Sequence, residues 1–367
     1  MHQALANVVP RWGLALLLAL YASTCSAEVP YRLEVLATGL DKPWSLAFLP
    51  DGTALVTELP GNLRRIGANG EVGEPVENVP AVYFAGQGGL FDVVLHPDFA
   101  NNQLVYLAYA AGTPSSNATT IARGRLQENR LDNVEVIYSV TPRKETPVHY
   151  GGRMAFLPDG SLLLTTGDGF NYREAAQDIG SGLGKVMRMN DDGSPAAGNP
   201  FPEAPYVYTY GHRNPQGLAV SSDGTIWLHE HGPRGGDEVN RLEAGFNYGW
   251  PAITFGIDYS GAIISPHTAW PGMQQPEHYW VPSIAPSGLA IYDGSLFPQW
   301  KGDLFVGALA DQEVRRLDIQ NGKIAVEETL FSELAVRVRD VRNGPDGALY
   351  ILTNGSPGKL IRVVPAE

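Results

Sequence analysis

One pattern, a tight turn followed by a short apolar strand, recurs six times along the chain. Such a repeat constrains the fold more than any other feature of a sequence. The first copy, Gly52–Glu58, follows a Pro-Asp-Gly triplet, in which Asp can cap the turn and Gly supplies a positive φ. Another apolar strand precedes most of the turns, so the repeated unit is a hairpin, which cannot bury both of its faces alone. The other copies begin at Asn102, Gly160, Gly224, Gly302 and Gly347.

The spacing of the copies indicates the architecture. The 340 residues after residue 27 leave about 57 residues per copy, which suits a four-stranded propeller blade with its loops. The widest interval, between Gly232 and Gly302, predicts an insertion in one blade. The first and last strands, residues 31–38 and 359–365, are predicted to share a blade and close the ring. The sequence therefore predicts an all-β fold, a six-bladed β-propeller of four-stranded antiparallel blades, as a single domain over residues 28–367.

Composition excludes other classes of protein. The chain has 42 glycines and 28 prolines among 367 residues, and both residue types destabilise helix interiors, so a mostly helical fold is excluded. A hydrophobic content of 44% excludes a disordered chain. The net charge of -13 argues against binding to nucleic acid or anionic membranes, which requires basic surfaces.

The first 27 residues are predicted to be a secretory signal peptide. Arg11 precedes an apolar run that is too short to span a membrane, and small residues follow up to Ala27. The alternative is a lipoprotein acylated at Cys25, although residues 22–24 fit its recognition sequence poorly. We expect a periplasmic or secreted protein without a membrane span, whose mature chain lacks cysteine.

Polar residues end several of the repeated strands. We expect these strands to be the innermost ones of their blades, so that their ends meet at one face of the ring. The ends carry Glu58, Asp168, His229 and His231. Polar groups that gather at one end of a channel are typical of a binding site.

Two of the polar motifs suggest catalysis or ligand binding. His149 precedes Asp168 by one hairpin, and a carboxylate there can hold an imidazole in one tautomer; the alternative is a satisfied core histidine. Arg213 and Asn214 lie among glycines and suit recognition of an anion or carbonyl; the alternative is a structural salt bridge.

A third motif offers oxygen ligands. The acidic pair Asp237 and Glu238 lies beside a Gly-Pro backbone, and Ca²⁺ takes carboxylate and carbonyl oxygens. The alternative is a solvated acidic turn. No Gly-x-Gly-x-x-Gly follows a strand, so a nicotinamide cofactor is unsupported.

Taken in order, the motifs resemble those of the soluble PQQ-dependent aldose sugar dehydrogenases, relatives of the soluble quinoprotein glucose dehydrogenase. The likeness covers residues 31–366, and the family fold is a six-bladed propeller, the same architecture that the repeats predict. The motifs that carry it are Gly39–Ala47, Gly86–Leu90, His96–Phe99, His149–Arg153, Gly211–Gly217, Glu230–Glu238 and Arg337–Asp340.

The resemblance implies oxidation of an aldose at C1 to its lactone, with PQQ and Ca²⁺ as cofactors. His149 would be the general base, Asp168 would orient it, and Arg213 would stabilise charge on the quinone. Electrons would pass to a soluble or membrane acceptor, and the protein would be a monomer or homodimer. The implied cofactor-binding residues are Gln87, Arg213, Asn214, Arg337 and Arg339; the implied calcium ligands are carbonyls of Gly232 and Pro233, with a second site at Glu238 and Tyr248.

The chain also departs from the glucose enzyme. A lysine that contacts PQQ there has no counterpart near Ala310, and Val281 and Ser283 stand where that enzyme has Trp and Thr. Two other functions stay open: a calcium-dependent propeller sugar lactonase, and a non-catalytic propeller that binds glycan or protein.

Overall fold

The computed structural model describes residues 29–366, which form six four-stranded antiparallel sheets arranged as a six-bladed β-propeller. The predicted fold class is confirmed. From the innermost strand outward, the first three blades are β2 (Pro43–Phe48), β3 (Ala54–Glu58), β4 (Asn62–Ile66) and β5 (Val72–Pro75); β6 (Leu90–Leu95), β7 (Leu104–Thr113), β8 (Ser116–Gln127) and β9 (Arg130–Ser139); and β10 (Gly151–Phe156), β11 (Leu162–Thr166), β12 (Lys185–Met189) and β13 (Val207–Tyr210).

The remaining three blades complete the ring. Helical structure in the described residues is confined to α1 (Phe99–Asn102) and three single 3₁₀ turns, Arg173–Gln177, Pro298–Trp300 and Ser332–Leu334. The blades are β14 (Pro215–Val220), β15 (Ile226–Glu230), β16 (Asp237–Leu242) and β17 (His278–Trp280); β18 (Pro286–Ile291), β19 (Leu304–Ala308), β20 (Val314–Gln320) and β21 (Lys323–Leu330); and β22 (Val338–Asn343), β23 (Leu349–Thr353), β24 (Gly358–Pro365) and β1 (Tyr31–Leu40).

The ring closes through its two ends. Strand β1 pairs with β24 in antiparallel register from Tyr31 opposite Pro365 to Leu40 opposite Gly358. The first strand thus becomes the outermost strand of the last blade, as the sequence predicts. The predicted signal peptide, residues 1–27, lies outside the described residues. Within residues 29–366 no helix has the length and apolar character needed to cross a membrane.

The repeated turns form as their sequence indicates. Oδ1 of Asp51 accepts hydrogen bonds from the backbone N–H and the hydroxyl of Thr53 at 3.0 and 2.6 Å, and Gly52 between them has φ +80°. The same arrangement recurs at Asp159 and Ser161, at 2.9 and 2.6 Å. Turns of this kind, at Asp51, Asp159, Asp223 and Asp346, join the first two strands of four blades, and each aspartate accepts a backbone N–H that the turn would leave unpaired.

The expectation that the repeated strand is innermost is wrong. The repeated strands are β3, β7, β11, β15, β19 and β23, each the second strand of its blade, and the strand before each of them faces its counterparts across the channel. Both strands of the hairpin are apolar, so their order from the axis outward is not visible in hydropathy. The segments that precede the innermost strands and those that follow the second strands therefore lie at the same face of the ring.

The core lies between blades. Six buried apolar clusters fill the described residues, one at each of the six interfaces between neighbouring sheets. The predicted insertion is confirmed as residues 243–277, between β16 and β17. Because each blade is held by two neighbours, the scaffold fixes the loops at the channel mouth.

Four charged side chains pair inside the channel, and we call them the central ion cluster: Asp92, Arg153, Asp340 and Arg342. Arg153 is 1% exposed; its guanidinium lies 3.0 Å from Asp340 and 3.5 Å from Asp92. Arg342 lies 3.2 Å from Asp92 and 2.9 Å from Asp340. Each buried charge thus faces an opposite charge, which is how such groups are tolerated in a protein interior.

Candidate active site

The residues in front of the innermost strands meet at one mouth of the channel. His149 precedes β10 and Asp168 follows β11 of the same blade. Nδ1 of His149 lies 2.7 Å from Oδ1 of Asp168, and both side chains are buried. Nε1 of Trp250 donates to Oδ2 of Asp168 at 2.7 Å, and the backbone N–H of Phe170 donates to Oδ1 at 2.7 Å. The carboxylate is therefore fixed from three sides.

This geometry sets the protonation state of His149. A carboxylate accepts but does not donate, so Nδ1 carries the proton and Nε2 is the free acceptor. Within residues 29–366 Nε2 has no hydrogen-bond partner, and His149 lines an open cleft. Burial lowers the pKa of His149 below its usual value, although Asp168 opposes this shift. The imidazole is neutral at pH 7 and can accept a proton from a ligand in the cleft.

The backbone of His149 is held in an uncommon conformation. Its φ is +52°, in the left-handed region, and its N–H donates to Oε1 of Gln87 at 2.8 Å. Nζ of Lys144 donates to the carbonyl oxygens of Thr146 at 2.5 Å and Val148 at 2.9 Å. A backbone in this region needs such support from its surroundings, and strain of this kind clusters at functional sites.

Arg213 and Asn214 precede β14 and are both buried. Nη1 of Arg213 donates to the carbonyl oxygens of His231 at 3.1 Å and Gly232 at 2.5 Å. Its guanidinium forms no ion pair within residues 29–366, so the interpretation as a structural salt bridge is wrong. The Asn214 amide oxygen accepts the N–H of Gly151 at 3.2 Å, which ties the two blades together at the mouth.

A cavity of about 530 Å³, which we call the upper cavity, occupies the channel mouth. Lys42, Arg337 and Arg339 line it, and its lining contains no aspartate or glutamate. Among the described residues Lys42 and Arg337 have no ion pair, and Arg339 donates only to the amide oxygen of Asn354, at 3.1 and 3.2 Å. Burial and the charges of neighbouring arginines lower the pKa of Arg339 to about 9. In a chain of net charge -13, such a concentration of unpaired cations indicates a site for an anion.

The upper cavity adjoins the cleft that His149 lines. We call this cleft the His149 cleft; its volume is about 260 Å³. The two spaces are lined by consecutive residues: His149 and Arg213 face the cleft, whereas Tyr150 and Asn214 face the upper cavity. A ligand in the cleft would therefore contact the histidine while lying next to an anion bound in the upper cavity.

The predicted calcium ligands lie in two places. The carbonyl oxygen of Gly232 faces Arg213, and that of Pro233 lies 3.4 Å from the hydroxyl of Ser283. Asp237 is buried and accepts the N–H groups of Gly232 and Ala285, each at 2.8 Å. The interpretation of Asp237 as part of a solvated turn is therefore wrong, since it fixes the Gly232–Pro233 backbone.

The second predicted calcium site is a small enclosed space. Glu238 and Tyr248 line it together with Glu230. Burial, followed by the charge of Glu230, raises the pKa of Glu238 well above its usual value. A cation there would relieve this repulsion. Within residues 29–366 no three His, Cys, Asp or Glu side chains cluster in a way that could hold a metal ion, so backbone carbonyls would supply the other ligands.

The other polar strand ends have separate roles. His231 lines the upper cavity, with Nε2 2.7 Å from the carbonyl oxygen of Pro286. Glu58 accepts the N–H of Asp41 at 2.8 Å within the first blade. His229 is fully buried beside the carbonyl oxygen of Gly288 at 3.2 Å. Of these three, only His231 belongs to the site.

Sequence reasoning missed Lys42, Lys144 and Trp250. Lys42 lies in front of β2 just as Gln87 lies in front of β6, and a comparison of equivalent positions in the repeats is the signal that could have found it. Trp250 belongs to the insertion and reaches Asp168 across 82 residues of sequence. No spacing rule indicates such a contact.

The sequence model of the family described as glucose/sorbosone dehydrogenase matches residues 40–362. The chain belongs to this family. The aldose sugar dehydrogenase YliI of Escherichia coli is 39% identical over 376 aligned residues, which cover all of both chains. Quinoprotein glucose dehydrogenase B of Acinetobacter calcoaceticus is 29% identical over 75% of this chain and 63% of that protein.

A solved structure agrees. The PQQ-bound aldose sugar dehydrogenase of Streptomyces coelicolor superposes with a TM-score of 0.78 at 29% identity, covering 92% of this chain and 99% of that one. The resemblance drawn from the motifs is confirmed at the level of the family, and these relatives support a sugar dehydrogenase.

Proposed function

We propose that this protein oxidises aldose sugars at C1 to lactones, with PQQ and Ca²⁺ as cofactors and His149 as the general base. The observation that carries the proposal is the pairing of a neutral histidine, whose Nε2 is free, with an adjoining cavity whose charged lining residues are all cationic. The histidine suits removal of a hydroxyl proton. The cavity suits a flat cofactor that bears carboxylates.

The residues present fit such a cofactor. Arg337 and Arg339, which lack carboxylate partners in the described chain, would hold its carboxylates, and Gln87, Arg213 and Asn214 would lie around its quinone portion. When bound, PQQ would supply the two-electron oxidant and Ca²⁺ would polarise it. The glucose enzyme has a PQQ-contacting lysine that this chain lacks near Ala310. Here the lysine that lines the upper cavity is Lys42.

The protein itself handles the proton. Nε2 of His149 accepts the proton of the anomeric hydroxyl, and Asp168 stabilises the imidazolium that results because it already bonds Nδ1. Trp250 and Phe170 hold Asp168, so the imidazole keeps its orientation as it becomes charged. Arg213 places a fixed positive charge at the junction of the cleft and the cavity, where it would stabilise the negative charge that a bound quinone gains as the two-electron acceptor from C1.

The two alternative functions have less support. A calcium-dependent lactonase would need carboxylates around an axial metal, but the upper cavity is lined by none. A non-catalytic propeller would not need a histidine that is buried, oriented by a carboxylate and open at Nε2. Export to the periplasm or the exterior, the electron acceptor and the oligomeric state stay predictions.

The test combines cofactor binding with turnover. Purified protein is titrated with PQQ in the presence of CaCl₂ and assayed with a panel of aldoses and a redox dye. We expect His149→Ala to lower kcat about 10²- to 10⁴-fold, the usual contribution of a general base, and to leave PQQ affinity unchanged. His267→Ala, in the exposed insertion, is the control. Near-normal turnover of His149→Ala would contradict its role, and a wild-type protein that binds no PQQ and oxidises no aldose would contradict the function.

A further inference from the structure

Two exposed aromatic side chains flank His149. Phe170 is 45% exposed and Tyr259 is 60% exposed, and both line the His149 cleft. Their ring centroids lie 6.5 Å apart with planes inclined by 20°, and the ring of Phe170 meets that of His149 edge to face at 5.1 Å. Exposed apolar side chains that lie next to one another mark a binding site more often than isolated ones do.

Their positions are fixed by the catalytic pair. The backbone N–H of Phe170 donates to Asp168, and the residue has φ +68°, so its backbone adopts a left-handed conformation to make this bond. Tyr259 belongs to the insertion and lies under the guanidinium of Arg213, 5.8 Å from its ring centroid. Neither ring is free to move away without disturbing a contact of the candidate site.

The cleft also has polar lining residues. Asn171, Arg173 and Asp258 line it together with the apolar Pro233 and Ile264, and Arg173 lies 3.9 Å from Asp258 in a loose ion pair. A closed sugar ring likewise combines apolar and polar surface, because its C–H groups lie on its faces and its hydroxyls lie around its rim. The electron-rich face of an aromatic ring attracts weakly positive C–H groups, whereas hydroxyls need hydrogen-bond partners.

We propose that Phe170 and Tyr259 form the apolar wall of the sugar site, against which the substrate packs as a closed pyranose ring. The anomeric hydroxyl then faces Nε2 of His149, and the distant hydroxyls face Arg173 and Asp258. This inference rests on the proposed function and adds the side chains against which the sugar ring packs. A cleft of about 260 Å³ is smaller than the usual site for a drug-sized ligand, so it accepts one sugar ring.

The experiment measures sugar affinity in two ways. The first is the KM of the PQQ-loaded enzyme for the aldose that it oxidises best. The second is the Kd of the cofactor-free protein for 1,5-anhydro-D-glucitol by calorimetry, since this pyranose lacks the anomeric hydroxyl and cannot be oxidised. We expect Phe170→Ala and Tyr259→Ala each to raise both constants about tenfold, the loss of one aromatic contact. In the double variant, KM and Kd should rise by less than the product of the two single increases, because both rings contact one ligand.

Controls separate the possible outcomes. Tyr259→Phe keeps the ring and should keep the wild-type constants, as should Trp270→Ala, which removes an exposed aromatic of the same insertion outside the cleft. A lower kcat in Phe170→Ala with unchanged KM and Kd would overturn the proposal, because Phe170 would then only shield His149 from water. If the wild-type protein neither binds PQQ nor oxidises any aldose, the proposed function fails, whereas the Kd series still decides the apolar wall.

Discussion

Two arginines of the same strand, β22, meet opposite surroundings. Arg342 belongs to the central ion cluster and lies within 3.2 Å of Asp92 and 2.9 Å of Asp340. Arg339, three residues earlier, lines the upper cavity and has only the amide of Asn354 as a partner in the described residues. The difference between the two arginines is whether the charge is paired. The paired charge of Arg342 stabilises the contact between blades, whereas the unpaired charge of Arg339 is available to a ligand.

The largest effect on stability is expected in the central ion cluster. Arg153→Met leaves Asp92 and Asp340 buried with one arginine between them, and breaking a buried pair costs about 3–5 kcal/mol. Chemical denaturation of the cofactor-free protein measures this loss. Arg316→Met is the matched control: Arg316 also faces two carboxylates, Asp303 and Glu328 at 2.7 and 2.6 Å, but at the edge of its blade.

The control should lose less stability, because Arg316 is more exposed than Arg153 and Glu328, one of its two carboxylates, is partly exposed to water. Equal losses in the two variants would contradict the claim that burial inside the channel makes the central ion cluster structural.

The sequence predicts the scaffold better than the site, and the reason is local. The Asp51–Gly52 turn forms from neighbouring residues, so its sequence suffices. The pair of His149 and Asp168 is also predictable, because one hairpin brings them together. Trp250 is different: it reaches Asp168 from an insertion that has no periodicity, and only the folded path of that insertion makes the contact.

The error about the innermost strand has a physical cause as well. Inner and second strands are both apolar, and hydropathy does not separate them. Buried polar residues do not separate them either. Inner strands carry Ser45, Asp92 and Arg153, but the second strands β3 and β15 also bury Thr57 and His229, which contact carbonyl oxygens of neighbouring blades.

Arg339→Gln should weaken PQQ binding about 10- to 100-fold, as expected for a lost charge-assisted contact to a carboxylate, and should not lower the stability of the cofactor-free protein. Burial and nearby arginines already lower the pKa of Arg339, so removal of its charge relieves repulsion. Fluorescence titration with PQQ and thermal unfolding without it measure the two quantities.

Arg342→Gln on the same strand should show the reverse, with lower stability and a smaller change in PQQ affinity. If both variants lost stability alike and bound PQQ alike, the distinction between the two arginines would be wrong.

The smallest expected effect is a shift in the pH dependence of kcat/KM. It is tested by comparing two buried lysines of one blade. Nζ of Lys144 donates to Thr146 and Val148 beside His149, whereas Nζ of Lys185 donates to the carbonyl oxygens of Ala175, Ala176 and Leu183 at 2.7 to 3.0 Å. Burial lowers the pKa of both lysines to about 7. Each replacement by Met should cost similar stability, because each orphans backbone carbonyls.

Only Lys144 acts on the base, since its charge helps to lower the pKa of His149. Without that charge the pKa of His149 rises toward its usual value. A base must be unprotonated to act, so the rate is lost at a higher pH as the solution is acidified. The acid limb of kcat/KM should therefore move to higher pH in Lys144→Met and stay in place in Lys185→Met. An equal shift in both, or none in Lys144→Met, would show that this lysine acts only as a backbone clamp.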